Sequence, residues 1–200
     1  MSGTEAAVME RKATLRGEIK ARFAQLAPGN LEDLAAASRS RLRELDEYRR
    51  AGSYLFYAAL KDEPDLDELI DEALAAGKNV YLPLCRPADN EMDVVRIADR
   101  RKDLVPRHFG ILEPRPELPV ADPAEIDLAV LPGRAFDRQC RRLGRGRAYV
   151  DRFLTRNEGR LFSVSLAAGF QLVREVPVNE YDRPVNAVIT ESEVIRAEAE

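Results

Sequence analysis

From Glu5 to Ala27 the apolar residues Leu15, Ile19, Phe23 and Leu26 recur every three or four positions, with lysines and arginines between them. That spacing gathers one apolar stripe on a helix of 3.6 residues per turn, which Pro28-Gly29 stops. A second helix is predicted from Leu31 to about Arg50 through Leu34, Leu42, Leu45 and Tyr48, ended by Gly52. The pattern then changes. SYLFYAAL (Ser53 to Leu60) is an unbroken apolar run, rich in aromatics and too short for a buried helix, and predicts a buried strand. LDELIDEALAAGKN predicts a helix from Leu66 closed by Gly77, and NVYLPL (Asn79 to Leu84) the next strand. Strand, helix, strand is the signature of a parallel sheet.

Further strands are predicted at Asp93 to Ile97, Asp127 to Leu131, Phe162 to Ala167 and Val185 to Thr190, with a helix opening near Tyr149. A mixed, mainly parallel sheet flanked by helices is therefore expected, in a single domain spanning residues 1–200. Pro106, Pro114, Pro116, Pro119 and Pro123 exclude a long helix between them and predict an irregular surface segment. The acidic tail after Ile195 is expected to fray.

Composition narrows the classes. The chain is 45% apolar and 33% charged, enough for a sizeable core, yet no stretch approaches the roughly 18 uninterrupted apolar residues of a membrane span. Glu5, Glu10, Arg11 and Lys12 interrupt any signal-peptide core, so neither a secreted nor a membrane protein is expected. A net charge of -4 argues against general nucleic-acid binding, because neutralising phosphates takes a surplus of Lys and Arg. Cys85 and Cys140 lack CxxC spacing and His108 is the one histidine, so no usual zinc cluster is expected and a reducing cytoplasm is the natural compartment. Without partners in view, His108 reads as a surface or packing residue.

Candidate chemistry concentrates in LPGRAFDRQCRRLGRGRAYVDRF (Leu131 to Phe153), which places six arginines between Arg134 and Arg147 after a strand and before a helix. A basic, glycine-punctuated loop at that place suits an anion, since free backbone N–H groups and the helix dipole both favour negative charge. It matches neither the P-loop nor GxGxxG. A solvated basic loop and a nucleic-acid contact are the competing readings; Phe136 and Tyr149 alone supply few stacking faces for the second.

The same segment resembles the signature of the 5-formyltetrahydrofolate cyclo-ligase (5,10-methenyltetrahydrofolate synthetase) family, PGxAFDxxGxRLGxGxGYYDRF. KATLR (Lys12 to Arg16), LKDEPD after the first strand, EMDVVRI (Glu91 to Ile97), FGILEP (Phe109 to Pro114) and VPVNEYDRPVNAVIT (Val176 to Thr190) resemble that family in the same order. The resemblance implies an α/β fold, a three-layer α/β/α domain of the NagB/RpiA/CoA-transferase-like type. It also implies ATP- and magnesium-dependent closure of 5-formyltetrahydrofolate to 5,10-methenyltetrahydrofolate with release of ADP and phosphate. The partners expected are folate and ATP, with no membrane or nucleic acid, and the enzyme is expected to be a cytoplasmic monomer.

Carried over by position, the resemblance implies ATP binding by Lys12, Ala13, Thr14, Leu15 and Arg16 and by the run Arg142, Leu143, Gly144, Arg145, Gly146, Arg147, Ala148, Tyr149 and Val150. Arg142, Arg145 and Arg147 are the implied catalytic cations, suited to phosphate charge. Ala58, Glu63, Arg145 and Tyr149 are implied to meet the folate, and Asp151 and Asp182 the magnesium ion, for which hard carboxylate oxygens are suitable. Tyr57, Tyr81, Met92 and Phe109 are candidates for an apolar slot and equally for core packing. For Lys12 and Arg16 the competing reading is a solvated helix face; for Asp151, a first-turn helix acid; for Asp182, a turn residue before Pro184.

Four positions depart from the family pattern: Cys140 and Ala148 stand where it has Gly, Val150 where it has a second Tyr, and Tyr181 where His is common. A positive φ at 148 would strain Ala by about 1 kcal/mol. A diverged member with weak or no ligase activity, and a nucleic-acid-binding module using Arg134 to Arg147, are the alternatives to an active enzyme.

Overall fold

The computed structural model describes residues 3–107 and 110–197, so His108 and Phe109 lie outside the described residues. Helix α1 (Gly3–Ala24) gives way to a turn in which Gly29 takes φ 91°, and α2 (Asn30–Glu44) follows. The single helix expected to Arg50 is two. Leu45 adopts an extended backbone (φ -66°, ψ 134°) and separates α2 from α3 (Asp46–Arg50), its buried side chain staying in the core.

The strand expected over Ser53 to Leu60 pairs only as β1 (Ser53–Leu55), although Phe56 N–H still donates to Tyr81 O at 3.0 Å. Beyond it the loop supplies its own hydrogen bonds: Tyr57 hydroxyl donates to Pro64 O and Leu60 N–H to Glu63 Oε2. These release the backbone from the sheet without leaving it unpaired. Helix α4 (Asp67–Ala75) ends before Gly77, at φ 71°.

Strands β2 (Asn79–Arg86) and β3 (Glu91–Ile97) form a long antiparallel hairpin. The proline-rich segment carries short pieces: α5 (Arg100–Asp103), β4 (Leu104–Pro106) paired with β5 (Leu112–Pro114), and β6 (Val120–Ala121). After β7 (Leu128–Val130), the basic loop contains a small ladder of β8 (Ala135–Phe136) and β9 (Arg142–Leu143), which periodicity does not reveal in two-residue strands. Then come α6 (Tyr149–Arg156), β10 (Phe162–Leu166), β11 (Ala187–Ile189) and β12 (Val194–Arg196). The tail is not frayed at its start: β12 pairs with β11, and Ala197 N–H donates to Asn186 O at 2.9 Å.

The main sheet runs β12-β11-β10-β7-β1-β2-β3-β6, parallel from β11 to β2 and antiparallel at both margins. Alternation splits its side chains: Val80, Leu82, Leu128 and Val130 pack with Leu42, Leu69 and Ile70 of α2 and α4, while Tyr81, Ala129 and Leu131 pack with Phe153 and Leu154 of α6. A third cluster joins Leu15 and Ile19 of α1 to Ala135, Leu143 and Val176. The three layers of α/β/α are thus present. No helix among the described residues is long and apolar enough to cross a membrane.

Candidate active site

Two glycines make room for one arginine. A Cβ on Gly133 would meet Phe136 Cζ at 2.3 Å and Arg142 Cγ at 3.0 Å, and one on Gly144 would meet Arg142 Nη1 at 2.8 Å. Arg142 therefore threads a slot that any larger residue would close. Its side chain, 2% exposed, donates from Nη2 to Asp151 Oδ1 (2.8 Å) and from Nη1 to Pro132 O (3.2 Å), and its buried Nε has no partner among the described residues. The turn before it is pinned by Asp137, whose fully buried carboxylate accepts from the Gln139, Arg141 and Val176 amides and from Arg141 Nε at 2.6 Å.

The loop that follows is held from two sides. On the α1 side, Arg16 Nε donates to Gly144 O at 2.9 Å and its guanidinium lies against Gly146. Burial lowers the Arg16 pKa, against the opposing attraction of Asp182. Lys12, one turn earlier and 5% exposed, donates to both oxygens of Asp182 at 2.7 and 2.5 Å. Ala13 and Thr14 are exposed between them, and Leu15 is core. Lys12 and Arg16 are thus committed side chains and not a solvated face.

On the other side, Arg145 Nε donates to Glu63 Oε1 at 2.9 Å and its Nη2 to Asp62, whose second oxygen accepts from Arg134. Burial works to raise the Asp62 pKa, but the hydrogen bonds from Arg145 and Arg134 prevail and hold it below the usual carboxylate value. Arg134 is itself buried, its guanidinium 5.3 Å from the centre of the Phe23 ring. The Arg147 guanidinium has no hydrogen bond or ion pair among the described residues.

Between this loop and the C-terminal ends of the central strands β1, β2 and β7 lies a cavity of about 420 Å³, a size ordinary for small-ligand sites. Leu55, Pro83, Met92, Ile111 and Val150 give it apolar walls, and Arg145, Arg147, Tyr149 and Asp151 line it as well. Ala58, Glu63 and Tyr57 also line it, whereas Tyr81 is packed in the core with its hydroxyl on Glu125. Burial raises the Tyr149 pKa, and pushes the Cys85 thiol, beside Glu113, up to about 12. Glu113 is buried in the cavity wall and accepts from Arg107 at 3.0 Å.

The segments of Asp151 and Asp182 meet at the Arg183 amide, which donates to Asp151 Oδ1 at 3.3 Å. Each already faces a cation, Arg142 for one and Lys12 for the other, and no group of three potential metal-ligating residues occurs among the described residues. The departures are equally plain. Cys140 (φ 57°) and Ala148 (φ 58°) both sit in the left-handed region that glycine adopts freely, Val150 borders the cavity, and Tyr181 is exposed.

Sequence reasoning passed over Asp62, Asp137 and Glu113, and read Arg134 only as one arginine of the basic loop. All four lie within quoted segments, but nothing in a lone acid or arginine says that the fold will bury it against a partner.

The chain is similar to known proteins over most of its length. Residues 8–191 match the model of the 5-formyltetrahydrofolate cyclo-ligase family. The 5-formyltetrahydrofolate cyclo-ligase of Escherichia coli is 29% identical over 88% of this chain and 98% of its own, and a probable enzyme of that name from Schizosaccharomyces pombe is 27% identical over 93% and 98%. The solved structure of Aquifex aeolicus 5,10-methenyltetrahydrofolate synthetase superposes with a TM-score of 0.81 at 31% identity, covering 94% of each chain. The Mycoplasma pneumoniae synthetase shares the fold at 19% identity, covering 90% of this chain and 98% of its own, with a TM-score of 0.71.

Proposed function

Because the chain belongs to the 5-formyltetrahydrofolate cyclo-ligase family, we propose that it converts 5-formyltetrahydrofolate to 5,10-methenyltetrahydrofolate while splitting ATP into ADP and phosphate. The observation that carries this reading is a cavity that combines apolar lining with Arg145 and Arg147. Such a site seats a flat ring beside a polyanion. A formamide oxygen is a poor leaving group. Transfer of the γ-phosphoryl group to it produces a phosphate ester; the N10 amine then bonds to the activated carbon, loses its proton, and the C–O bond breaks with phosphate departing.

In this reading Arg147 and Arg145 Nη1, which has no partner among the described residues, neutralise phosphate oxygens, which is most of what phosphoryl transfer asks of a protein. Arg142 offers its free Nε and keeps Asp151 in place. Arg16 approaches the same loop from α1 while Lys12 holds Asp182, and the run from Leu143 to Val150 contributes backbone N–H groups to ATP. Glu63 accepts N–H donors of the pterin, with Ala58 and Tyr149 beside it. For magnesium, the charge-compensated Asp151 and Asp182 do not make a cage for a bare ion; they fit one carried mainly by nucleotide phosphates. Bound there, the ion supplies charge neutralisation. We read the chain as one catalytic unit acting as a cytoplasmic monomer.

The test is direct: mix protein, 5-formyltetrahydrofolate, ATP and magnesium and follow the near-UV absorption of the methenyl product. An increase that requires ATP is expected. No product from folded protein would favour a diverged, non-catalytic member, and salt-sensitive RNA binding indifferent to ATP would favour the nucleic-acid alternative.

A further inference from the structure

We propose that Asp62 is a positioning residue for the reaction, acting through Arg145. The inference rests on the reading above that Arg145 serves the phosphates. Asp62 spends both oxygens on guanidinium groups, one on Arg145 Nη2 and the other on Arg134 Nη1. Arg134 is a fixed post: its guanidinium lies over Phe23, and its backbone oxygen accepts from the buried Gln171 amide at 3.1 Å. Asp62 thus ties the exposed crest of the nucleotide loop to a rigid part of the molecule.

The second anchor of Arg145 is Glu63, which behaves differently. Glu63 lines the cavity and Asp62 does not. A folate that takes Glu63 as its acceptor competes with Arg145 Nε for that carboxylate. Asp62 has no such rival and keeps the guanidinium oriented when Glu63 is engaged. With Nε and Nη2 held, Nη1 remains for a phosphate oxygen, already placed before the nucleotide arrives. Holding a charged group in advance avoids its reorganisation during reaction.

Simple electrostatics makes the opposite forecast, which gives the test its edge. Removing a carboxylate near a polyanion site should tighten ATP binding if only charge mattered. Removing an anchor should weaken it. With saturating 5-formyltetrahydrofolate and varied Mg-ATP, Asp62→Asn is expected to raise the KM for ATP about tenfold, and Asp62→Glu, which retains the charge, to stay within about threefold of wild type. In an Arg145→Ala background, Asp62→Asn should change little more, since the effect runs through Arg145.

Asp62→Ser carries the same expectation should the amide variant not fold. A KM for ATP that is unchanged or lower in Asp62→Asn, even with a lower melting temperature, would overturn the proposal, as would a full Asp62 effect without Arg145. Impaired Arg145→Ala beside normal Asp62→Asn removes this inference alone. Unimpaired Arg145→Ala removes the reading of Arg145 on which it stands.

Discussion

On the α2–α4 side of the sheet, Leu42, Leu66, Leu69 and Ile70 close over Val80, Leu82, Val130 and Val164. Its buried charge, Arg39, sits at the margin on Glu32, Glu68 and Asp65 O. On the α6 side, Phe136 and Phe153 share the interior with Arg142, Asp151, Asp137 and Gln171. Apolar contacts are non-directional and tolerate small shifts; a buried guanidinium with named acceptors does not. One half of the molecule therefore supplies cohesion and the other supplies fixed geometry, which is what a polyanion in transit between two substrates requires.

The sharpest way to break that contrast is Asp151→Ala. It leaves Arg142 buried without its counter-charge, at a cost of about 3–5 kcal/mol, and it should lower turnover at least about a hundredfold, beyond what loss of folded protein explains. Steady-state rates normalised to the folded fraction check this. Leu69→Ala tests the other side. It should cost about 3 kcal/mol, or roughly 6–12 °C in melting temperature for a chain of this size, while kcat per folded molecule stays at the wild-type value. If Leu69→Ala changed kcat as much as Asp151→Ala, the division of labour would be wrong.

A finer comparison sets the two left-handed residues against each other. Ala148→Gly releases about 1 kcal/mol of backbone strain and returns about 0.4–1 kcal/mol to the unfolded chain, so its melting temperature should move by no more than about 2 °C. Cys140 is fully buried, its thiol near Ile195 O and its pKa pushed up to about 11 by burial. Cys140→Gly empties that space and should be the less stable of the two, in calorimetry, despite identical backbone relief.

The smallest effect is in acid. Asp62 is held below its usual pKa, so it binds protons more readily unfolded than folded. Its contribution is present above about pH 4, the unfolded carboxylate value, and is lost as pH falls through the folded value. Unfolding free energies of wild type and Asp62→Asn should converge below that point and separate above it. Curves parallel throughout would mean that the ion pair contributes nothing to stability.

Much of the apolar half was legible in the sequence because its signals are periodic: Leu66 to Gly77 reads as a helix and Asn79 to Leu84 as a strand, and both are present. The six ordered segments carried the fold and the family as well. What stayed hidden was partnership. Lys12 and Asp182 were read separately, as a nucleotide contact and a metal ligand, and the fold brings them onto each other across 170 positions. Asp62, which nothing in the sequence singles out, is a bridge between two arginines. Strand lengths were misjudged where side chains in loops, as at Tyr57 and Glu63, supply the hydrogen bonds that a sheet would otherwise provide.

The strand order has a consequence for synthesis of the chain. β1 lies between β2 and β7, with Tyr54 opposite Leu128, and β7 in turn waits for Val164 of β10. Leu15 and Ile19 of α1 find Val176 later still. A ribosome delivering this protein releases α1 long before Val176, and β1 with β2 close behind but β7 much later. The early product is an amphipathic helix with nothing to cover it and half a sheet with an open edge, a species suited to chaperone binding and prone to self-association. A pause just before β10 would therefore lengthen the exposure of that edge and of the uncovered helix together.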